Sequence, residues 1–321
     1  MNSSVCTLFE GNYHYGVAAL VNSLCVNGFE GIIYAGYRGD RPMWAIQATD
    51  STVDRWRHAT TLHVTEKVSV IFLPLDTDYH LTNYKPDFML DLIAGLAGEE
   101  TSLFYLDPDI VINEHWKYFT EWVSCGVALC EDVNSPLAEN HPRRTGWRRF
   151  YASKQMYLSF KSDRYVNGGC VGTHPTHKSF LETWKECQEM VSQTVGGSSA
   201  AKISGGQALS YKGFANCFDS TDQDALNAAV ECTKIPCSIL GQEAMGFKTG
   251  RAILPHALGP NKPWERSYFL FALKGSPPRS VDKLYWQYAS GPITVHSLLY
   301  VTLKRLSIKL ASFSGRFYRR S

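Results

Sequence analysis

Short apolar runs alternate along this chain with stretches whose apolar residues recur at helical spacing, and that alternation restricts the fold more than any other feature. Val5–Phe9, Gly31–Ala35, Lys67–Leu73, Leu103–Leu106, Cys125–Leu129 and Tyr165–Thr173 read as buried strands. Between them, Tyr15–Val26 carries Val17, Leu20, Val21 and Leu24 on one helical face, and Asp87–Ala97 carries Phe88, Leu92, Ile93 and Leu96. Phe180–Val195 and Asp222–Val230 read as two further helices, and Gly196–Gly206 as a Gly/Ser-rich loop between them. Strand and helix in alternation predict an α/β chain with a mostly parallel sheet covered on both faces. In such folds ligands lie beyond the carboxyl ends of the strands.

The residues at strand ends therefore matter most. Leu103-Phe104-Tyr105-Leu106 runs straight into Asp107-Pro108-Asp109. Carboxylates after an apolar strand are costly unless hydrated, paired or bound to a cation. Oxygen ligands of this kind suit Mg²⁺ or Mn²⁺, which commonly bridge a protein carboxylate to a substrate phosphate. An Asp-x-Asp triplet is also a common turn, because Asp bonds its own backbone and Pro presets φ. Near the other end lies His256-Ala257-Leu258-Gly259-Pro260-Asn261-Lys262-Pro263-Trp264. It joins an imidazole able to ligate metal, a glycine that lets backbone approach a ligand, and an ammonium able to neutralise a phosphate.

With these segments in view, the sequence resembles the retaining nucleotide-sugar glycosyltransferases of family eight, the group of glycogenin and the bacterial lipopolysaccharide galactosyl- and glucosyltransferases. Five segments carry the resemblance in order, over residues 5–265. Tyr13, Gly16, Ala18, Leu20, Ser23 and Leu24 resemble the nucleotide-binding strand and first helix. Phe104–Asp109 is similar to the metal-binding Asp-x-Asp, and Asn167-Gly168-Gly169 to the Asn-Ser-Gly sugar-site strand. Asp222–Asn227 resembles the Asp-Gln-Asp helix start, and His256–Trp264 the His-x-x-Gly-x-x-Lys-Pro-Trp segment.

The resemblance implies a GT-A type, Rossmann-like fold and a metal-dependent retaining hexosyltransferase. Such an enzyme uses a nucleotide diphosphate sugar, with UDP-sugar the expected donor, and a glycan or lipid-linked saccharide as acceptor. Carried over by position, Asp107, Asp109 and His256 would hold Mn²⁺ (or Mg²⁺), and Gly259 and Lys262 would contact the diphosphate. Phe9, Glu10 and Tyr13 would lie near base and ribose, with Tyr13 able to stack. Asn167, Asp222 and Gln223 would surround the sugar, Asp222 stabilising positive charge on it; the amide of Gln223 is a poor nucleophile. Two positions depart from the family pattern. Lys85, in Asn83-Tyr84-Lys85-Pro86, stands where a Tyr-x-Arg-Leu motif has Arg, replacing a planar fork by a point charge. Leu8–Asn12 lacks the usual Asn-Asp pair near the base.

Composition bounds these readings. The chain has 321 residues, 44% hydrophobic, with a formal net charge of +2, which excludes a mainly disordered chain and a generally polycationic nucleic-acid binder. The N-terminus shows no secretory pattern, so a cytoplasmic protein is expected, peripheral on the inner face of the membrane if it meets one. Nine scattered cysteines form no CxxC pair and read as reduced, mostly buried thiols. His141–Arg164 reads as a basic surface excursion in which Arg143, Arg144, Arg148 and Arg149, among Trp147, Phe150 and Tyr151, meet solvent or an acidic acceptor.

A catalytic domain over residues 1–275 is expected to be followed by an extension over 276–321. There Leu299, Leu303, Leu306, Leu310, Phe313 and Phe317 recur at spacings of four and three, among Lys304, Arg305, Lys309, Arg316, Arg319 and Arg320. That basic amphipathic helix either lies on an anionic membrane surface or packs its Leu stripe on the domain. Two other functions use part of the same residue set. A nucleotidyltransferase also needs strand-end carboxylates and a metal, and a catalytically silent sugar-nucleotide or glycan-binding protein would bind donor without turnover.

Overall fold

A computed structural model describes residues 2–51, 56–98, 101–195 and 217–314. The expected loop Gly196–Gly206 and the tail residues Arg316, Phe317, Arg319 and Arg320 lie outside the described residues. Along the chain run β1 (Ser3–Glu10), α1 (His14–Val26), β2 (Gly31–Arg38), β3 (Thr49–Asp50), β4 (Thr60–His63) and β5 (Val68–Pro74). Next come α2 (Lys85–Ala94), β6 (Ser102–Leu106), α3 (Trp116–Ser124), β7 (Val127–Glu131), α4 (Pro142–Ala152) and β8 (Val166–Thr173). The chain closes with α5 (Lys178–Val195), α6 (Thr221–Cys232), β9 (Cys237–Leu240), α7 (Tyr268–Leu273), α8 (Ser280–Tyr288) and α9 (Leu298–Ser314). The α/β class is as expected, and the strand pairing is mixed where mostly parallel pairing was predicted.

The chain divides into two compact units, each discontinuous in sequence. The first comprises Met1–Leu8, Leu75–Leu106 and Phe119–Gln242. Here β1 pairs parallel with β6, with Val5 opposite Phe104, and β6 pairs antiparallel with β8, with Leu106 opposite Cys170. β8 continues antiparallel to β7, which runs parallel to β9. All five residues of β6 are buried, which accounts for its unbroken apolar run.

α4 corrects the reading of His141–Arg164 as a surface excursion. Trp147 is buried and donates from Nε1 to the Cys217 carbonyl (2.6 Å). Arg144 is buried too, donating to Glu231 of α6 and to the Arg164 carbonyl, while Arg148 Nε reaches Glu231 Oε2 (3.3 Å). A cluster of arginines looks solvated in sequence because the carboxylate that neutralises it lies more than eighty residues away.

The second unit comprises Phe9–Pro74, Asp107–Tyr118 and Glu243–Ser321. β2 and β5 pair in parallel from Gly31–Val68 to Tyr37–Pro74, and β4 and then β3 extend this ladder antiparallel. α1 is buried at every position from Gly16 to Leu24, as a helix apolar all round must be. Its one buried amide, Asn22, is satisfied: Nδ2 donates to the Tyr288 and Ile293 carbonyls (2.9 and 2.8 Å), and Oδ1 accepts from the Ile293 amide (2.9 Å). α7, α8 and α9 join one core with Trp264, Tyr268, Tyr285, Trp286, Val301 and Ile308. All nine cysteines are free thiols and five are buried. No helix among the described residues is long and apolar enough to cross a membrane.

Gly16 brings α1 against the Asp107–Asp109 turn, and a Cβ there would stand 2.2 Å from the Pro108 carbonyl oxygen and 2.9 Å from the Trp264 ring. Gly16→Ala should therefore lower stability by about 1–3 kcal/mol, the usual cost of overpacking. Urea unfolding measures this, and an unchanged midpoint would contradict the packing described.

Candidate functional site

In the second unit, the turn after Leu106 is closed by the Ile110 amide donating to the Asp107 carbonyl (3.0 Å). The chain then runs alongside the His256 segment. Val111 N donates to Pro255 O (3.2 Å), Ala257 N to Asp109 O (3.0 Å), and Ile110 and His256 form an antiparallel bridge. This backbone ladder, across nearly 150 residues of sequence, sets His256 beside both carboxylates. Its Nε2 lies 3.1 Å from Asp109 Oδ1 and 3.6 Å from Asp107 Oδ2.

Asp107, Asp109 and His256 each offer one ligand atom, and the three atoms lie within 4.8 Å of one another. Two carboxylate oxygens and an imidazole nitrogen form a donor set that accepts Mn²⁺ or Mg²⁺. His256 Nδ1 is buried without a hydrogen-bond partner among the described residues, and Nε2 is the ring nitrogen that faces the two carboxylates. The residues present fit a divalent cation.

Asp109 is buried, and its charge is supported from both sides. Lys262 Nζ donates to Asp109 Oδ2 (2.5 Å) and to the Ala257 carbonyl (2.8 Å). Burial alone would push the Asp109 carboxyl up, but His256 and Lys262 hold it well below the usual carboxylate range. Burial pulls Lys262 down, and Asp109 reverses this to a net rise. Lys262 also lies 5.4 Å from the Tyr13 ring centroid, and Tyr13 meets Trp264 edge-on at 5.7 Å. Gly259 sits at φ +84°, a left-handed conformation that disfavours any side chain, with open space where a Cβ would be. Phe9 is buried against Tyr37, with ring centroids 5.9 Å apart, and Glu10 pairs with Arg38 (2.8 Å).

The first unit holds the other residues that the sequence singles out. Lys85, at the start of α2, is buried and donates to the Gly168 carbonyl (2.9 Å) and Asp222 Oδ2 (3.1 Å). Gly168 N donates to Gln223 Oε1 (3.1 Å), so β8 and the first turn of α6 are clamped by main chain and side chain together. Asn167 turns elsewhere: its Nδ2 donates to Asp132 Oδ2 (2.7 Å), and its Oδ1 accepts from Gly169 N (2.8 Å). Lys85, Asn167, Asp222 and Gln223 are thus linked through Gly168 and its neighbours. Gly168 leaves little room there, since an added Cβ would stand 3.1 Å from Asp222 Oδ2.

Sequence reasoning passed over Asp224, the second carboxylate of the Asp-Gln-Asp start. It is fully buried and accepts from Arg143 Nη2 (2.5 Å), Tyr165 Oη (2.7 Å) and the amides of Asp219 and Ser220 (2.6 and 3.1 Å). Arg143 and Tyr165 gave no local signal, being 81 and 59 residues away from it. The spacing Asp222-x-Asp224 at a helix start was the available clue, since acids favour a first turn.

No protein-family model matches the sequence, and no curated protein matches it. Among solved structures, the chain resembles the glycosyltransferase GlyE of Streptococcus pneumoniae TIGR4 at a TM-score of 0.51 and 12% identity, over 97% of this chain and 64% of that one. The apo form of GlyE gives 0.50 at 13% identity, over 96% and 64%. The galactosyltransferase LgtC, in complex with donor and acceptor sugar analogues, gives 0.47 at 14% identity, over 94% and 99%. The fold is that of the GT-A glycosyltransferases. This chain spans a little under two thirds of the length of GlyE.

Burial pushes Asp224 from its ordinary 3.8 up to about 6, against the pull of Arg143 and the other donors. The folded protein thus keeps a proton that the unfolded chain has already released. Its contribution to stability is therefore fully present below pH 3.8 and is lost as pH rises through 6. The unfolding free energy of the wild type relative to Asp224→Asn should fall by about 2 kcal/mol between pH 4 and pH 6.5. Urea titrations of both proteins measure the difference, and a difference independent of pH would refute this assignment.

Proposed function

We propose that this chain is a metal-dependent retaining glycosyltransferase that moves a hexose from a nucleotide diphosphate donor, a UDP-sugar, to a glycan or glycolipid acceptor. The observation that carries the reading is the Asp107–Asp109–His256 triad, its Asp109 and His256 buried, with Lys262 on Asp109. It combines donors for a divalent cation with a fixed ammonium, the pair of charges that a departing diphosphate requires. The GT-A fold supports the same reading.

Asp107, Asp109 and His256 would hold Mn²⁺ (or Mg²⁺), which when bound supplies Lewis-acid neutralisation of phosphoryl oxygens. Lys262 is anchored by Asp109 and the Ala257 carbonyl and so meets an anion with little reorganisation. Gly259, without a side chain, lets main chain approach the diphosphate. Tyr13, partly exposed, offers a ring to the base; Phe9 backs the strand end near it. On the first unit, Asn167, Lys85 and Gln223 are assigned to the donor sugar, and Asp222 to stabilising positive charge on its anomeric carbon. Lys85 positions Asp222 through the 3.1 Å ion pair. A nucleotidyltransferase would use the two carboxylates and leaves the His256–Trp264 segment unexplained.

The test is release of free nucleoside diphosphate from a panel of nucleotide sugars, with Mn²⁺ and with EDTA. One UDP-sugar should be hydrolysed, EDTA should abolish release, and Asp109→Ala should be inactive. Lys262→Ala should reduce turnover about 10²–10³-fold, the usual loss for one donor to a developing anion. Donor binding without release under every condition, acceptor glycans included, would overturn the enzyme reading in favour of a silent binder. Full turnover in Asp222→Asn would remove that residue from the mechanism.

A further inference from the structure

A concavity of 490 Å³ in the second unit lies where the start of α1, the residues after Lys262 and the approach to α9 come together. Its volume falls in the range of roughly 300–1,000 Å³ usual for small-molecule sites. Four of its lining side chains are rings: Tyr15, Trp264, His296 and Tyr300. Tyr15 and His296 stack with centroids 5.1 Å apart and planes at 4°, and Trp286 and Tyr300 each pack on His296 at 5.2 Å. The rings thus hold one another in place before any ligand arrives. Two of them keep an unpaired nitrogen, since Trp264 Nε1 and His296 Nε2 are buried without a hydrogen-bond partner among the described residues. A buried polar group left unmade is costly, and a ligand hydroxyl is the kind of group that removes the cost.

Charge narrows what fits. Asn12 and Glu265 line the same concavity, and both are exposed, with no hydrogen-bond or ion-pair partner for their side chains among the described residues. No lysine or arginine among the described residues lines it. Burial, with Lys304 and His14 nearby, lowers His296 below its ordinary range, so the ring is neutral at pH 7 and offers one donor and one acceptor. A phosphate would meet a carboxylate there and no cation. A neutral pyranose ring, by contrast, has C–H groups to set against the aromatic rings and hydroxyls to give to Glu265 and Asn12. The concavity adjoins the metal-capable site without belonging to it. Trp264 meets Tyr13 edge-on at 5.7 Å and also lines the concavity, whereas Asp107, Asp109, His256 and Lys262 do not line it.

We propose that this concavity is a subsite for one neutral sugar ring of an oligosaccharide, packed against Tyr300, which is 40% exposed, and hydrogen-bonded to the Glu265 carboxylate. That the oligosaccharide is the acceptor rests on the transferase reading; that the concavity takes a sugar ring does not.

Saturation-transfer NMR on the full chain tests it, with lactose, maltotriose and tri-N-acetylchitotriose as probes. At least one should bind in the absence of nucleotide and metal. Glu265→Ala removes a hydrogen bond to a charged group and should weaken that binding about tenfold. Tyr300→Ala removes the exposed wall and should weaken it about fivefold. Glu265 is exposed, so its variant should keep the wild-type unfolding midpoint even if Tyr300→Ala, which also uncovers Lys304, does not. Calorimetric binding of UDP with Mn²⁺ should be the same in Glu265→Ala as in the wild type. Binding by no probe, unchanged saccharide affinity in Glu265→Ala, or an equal loss of UDP affinity would each overturn the proposal. Saccharide binding that depends on Glu265, in a protein that releases no nucleoside diphosphate from any donor, would leave this subsite standing and sink the transferase reading alone.

Discussion

Asp109 is a carboxylate placed where water does not reach it, and the second unit is organised around keeping its charge. Removing an ion from water costs several kcal/mol even after relaxation, unless partners replace the lost hydration. Three features of the fold supply those partners. The ladder between residues 109–113 and 253–257 brings His256, the Ala257 carbonyl holds Lys262 in place, and Gly16 lets α1 close over Pro108. Each is a backbone or small-residue device, so the positions of the charges follow from main-chain pairing rather than from flexible side chains. A carboxylate kept ionised in this way has one lone-pair set on Lys262 and another facing His256, and it is the latter edge that Asp107 shares.

The first unit solves the same problem differently. α6 carries three buried carboxylates, Asp222, Asp224 and Glu231, and each is met by a cation from another element: Lys85, Arg143, and Arg144 with Arg148. Such pairs add little net stability compared with an apolar core of equal volume, yet breaking one leaves an uncompensated charge at a cost of about 3–5 kcal/mol. Their effect is to fix which way α6 faces. Asp222 and Gln223 are oriented towards Gly168 because Asp224, one residue on, is tied to Arg143 and Tyr165 on another side of the helix.

Local patterns made much of this legible in the sequence. The strands at Val5, Gly31, Lys67, Leu103 and Tyr165 and the helices at Tyr15, Asp87, Phe180 and Asp222 lie where apolar periodicity places them, with ends moved by a few residues. Asp107–Asp109 and His256 were identifiable because their chemistry is written in contiguous segments. What escaped was non-local. α4 looked like a solvated basic loop because Glu231 is invisible from its own sequence, and Arg144 and Trp147 turn out to be core. Antiparallel pairing of β6 with β8, and of β8 with β7, cannot be told from parallel pairing by periodicity alone. Asp224 escaped for the same reason as α4, since a buried acid differs from a capping acid only through its distant partners.

α9 shows where such pattern reading reaches its limit. The spacing of Leu299, Leu303, Leu306 and Leu310 marks an amphipathic helix correctly, and an amphipathic helix is ordinarily assumed to point its leucines inward. Here the core is reached by the smaller set Val301, Ile308 and Ala311, and Lys304 packs its stem among three aromatic rings with its ammonium on a carbonyl. The inward side of the helix thus carries Lys304 as well as apolar residues, its charge accommodated over the rings of Tyr268, Trp286 and Tyr300. The same residues that anchor the helix leave its leucines outward, so the exposed stripe is a consequence of how the core is built.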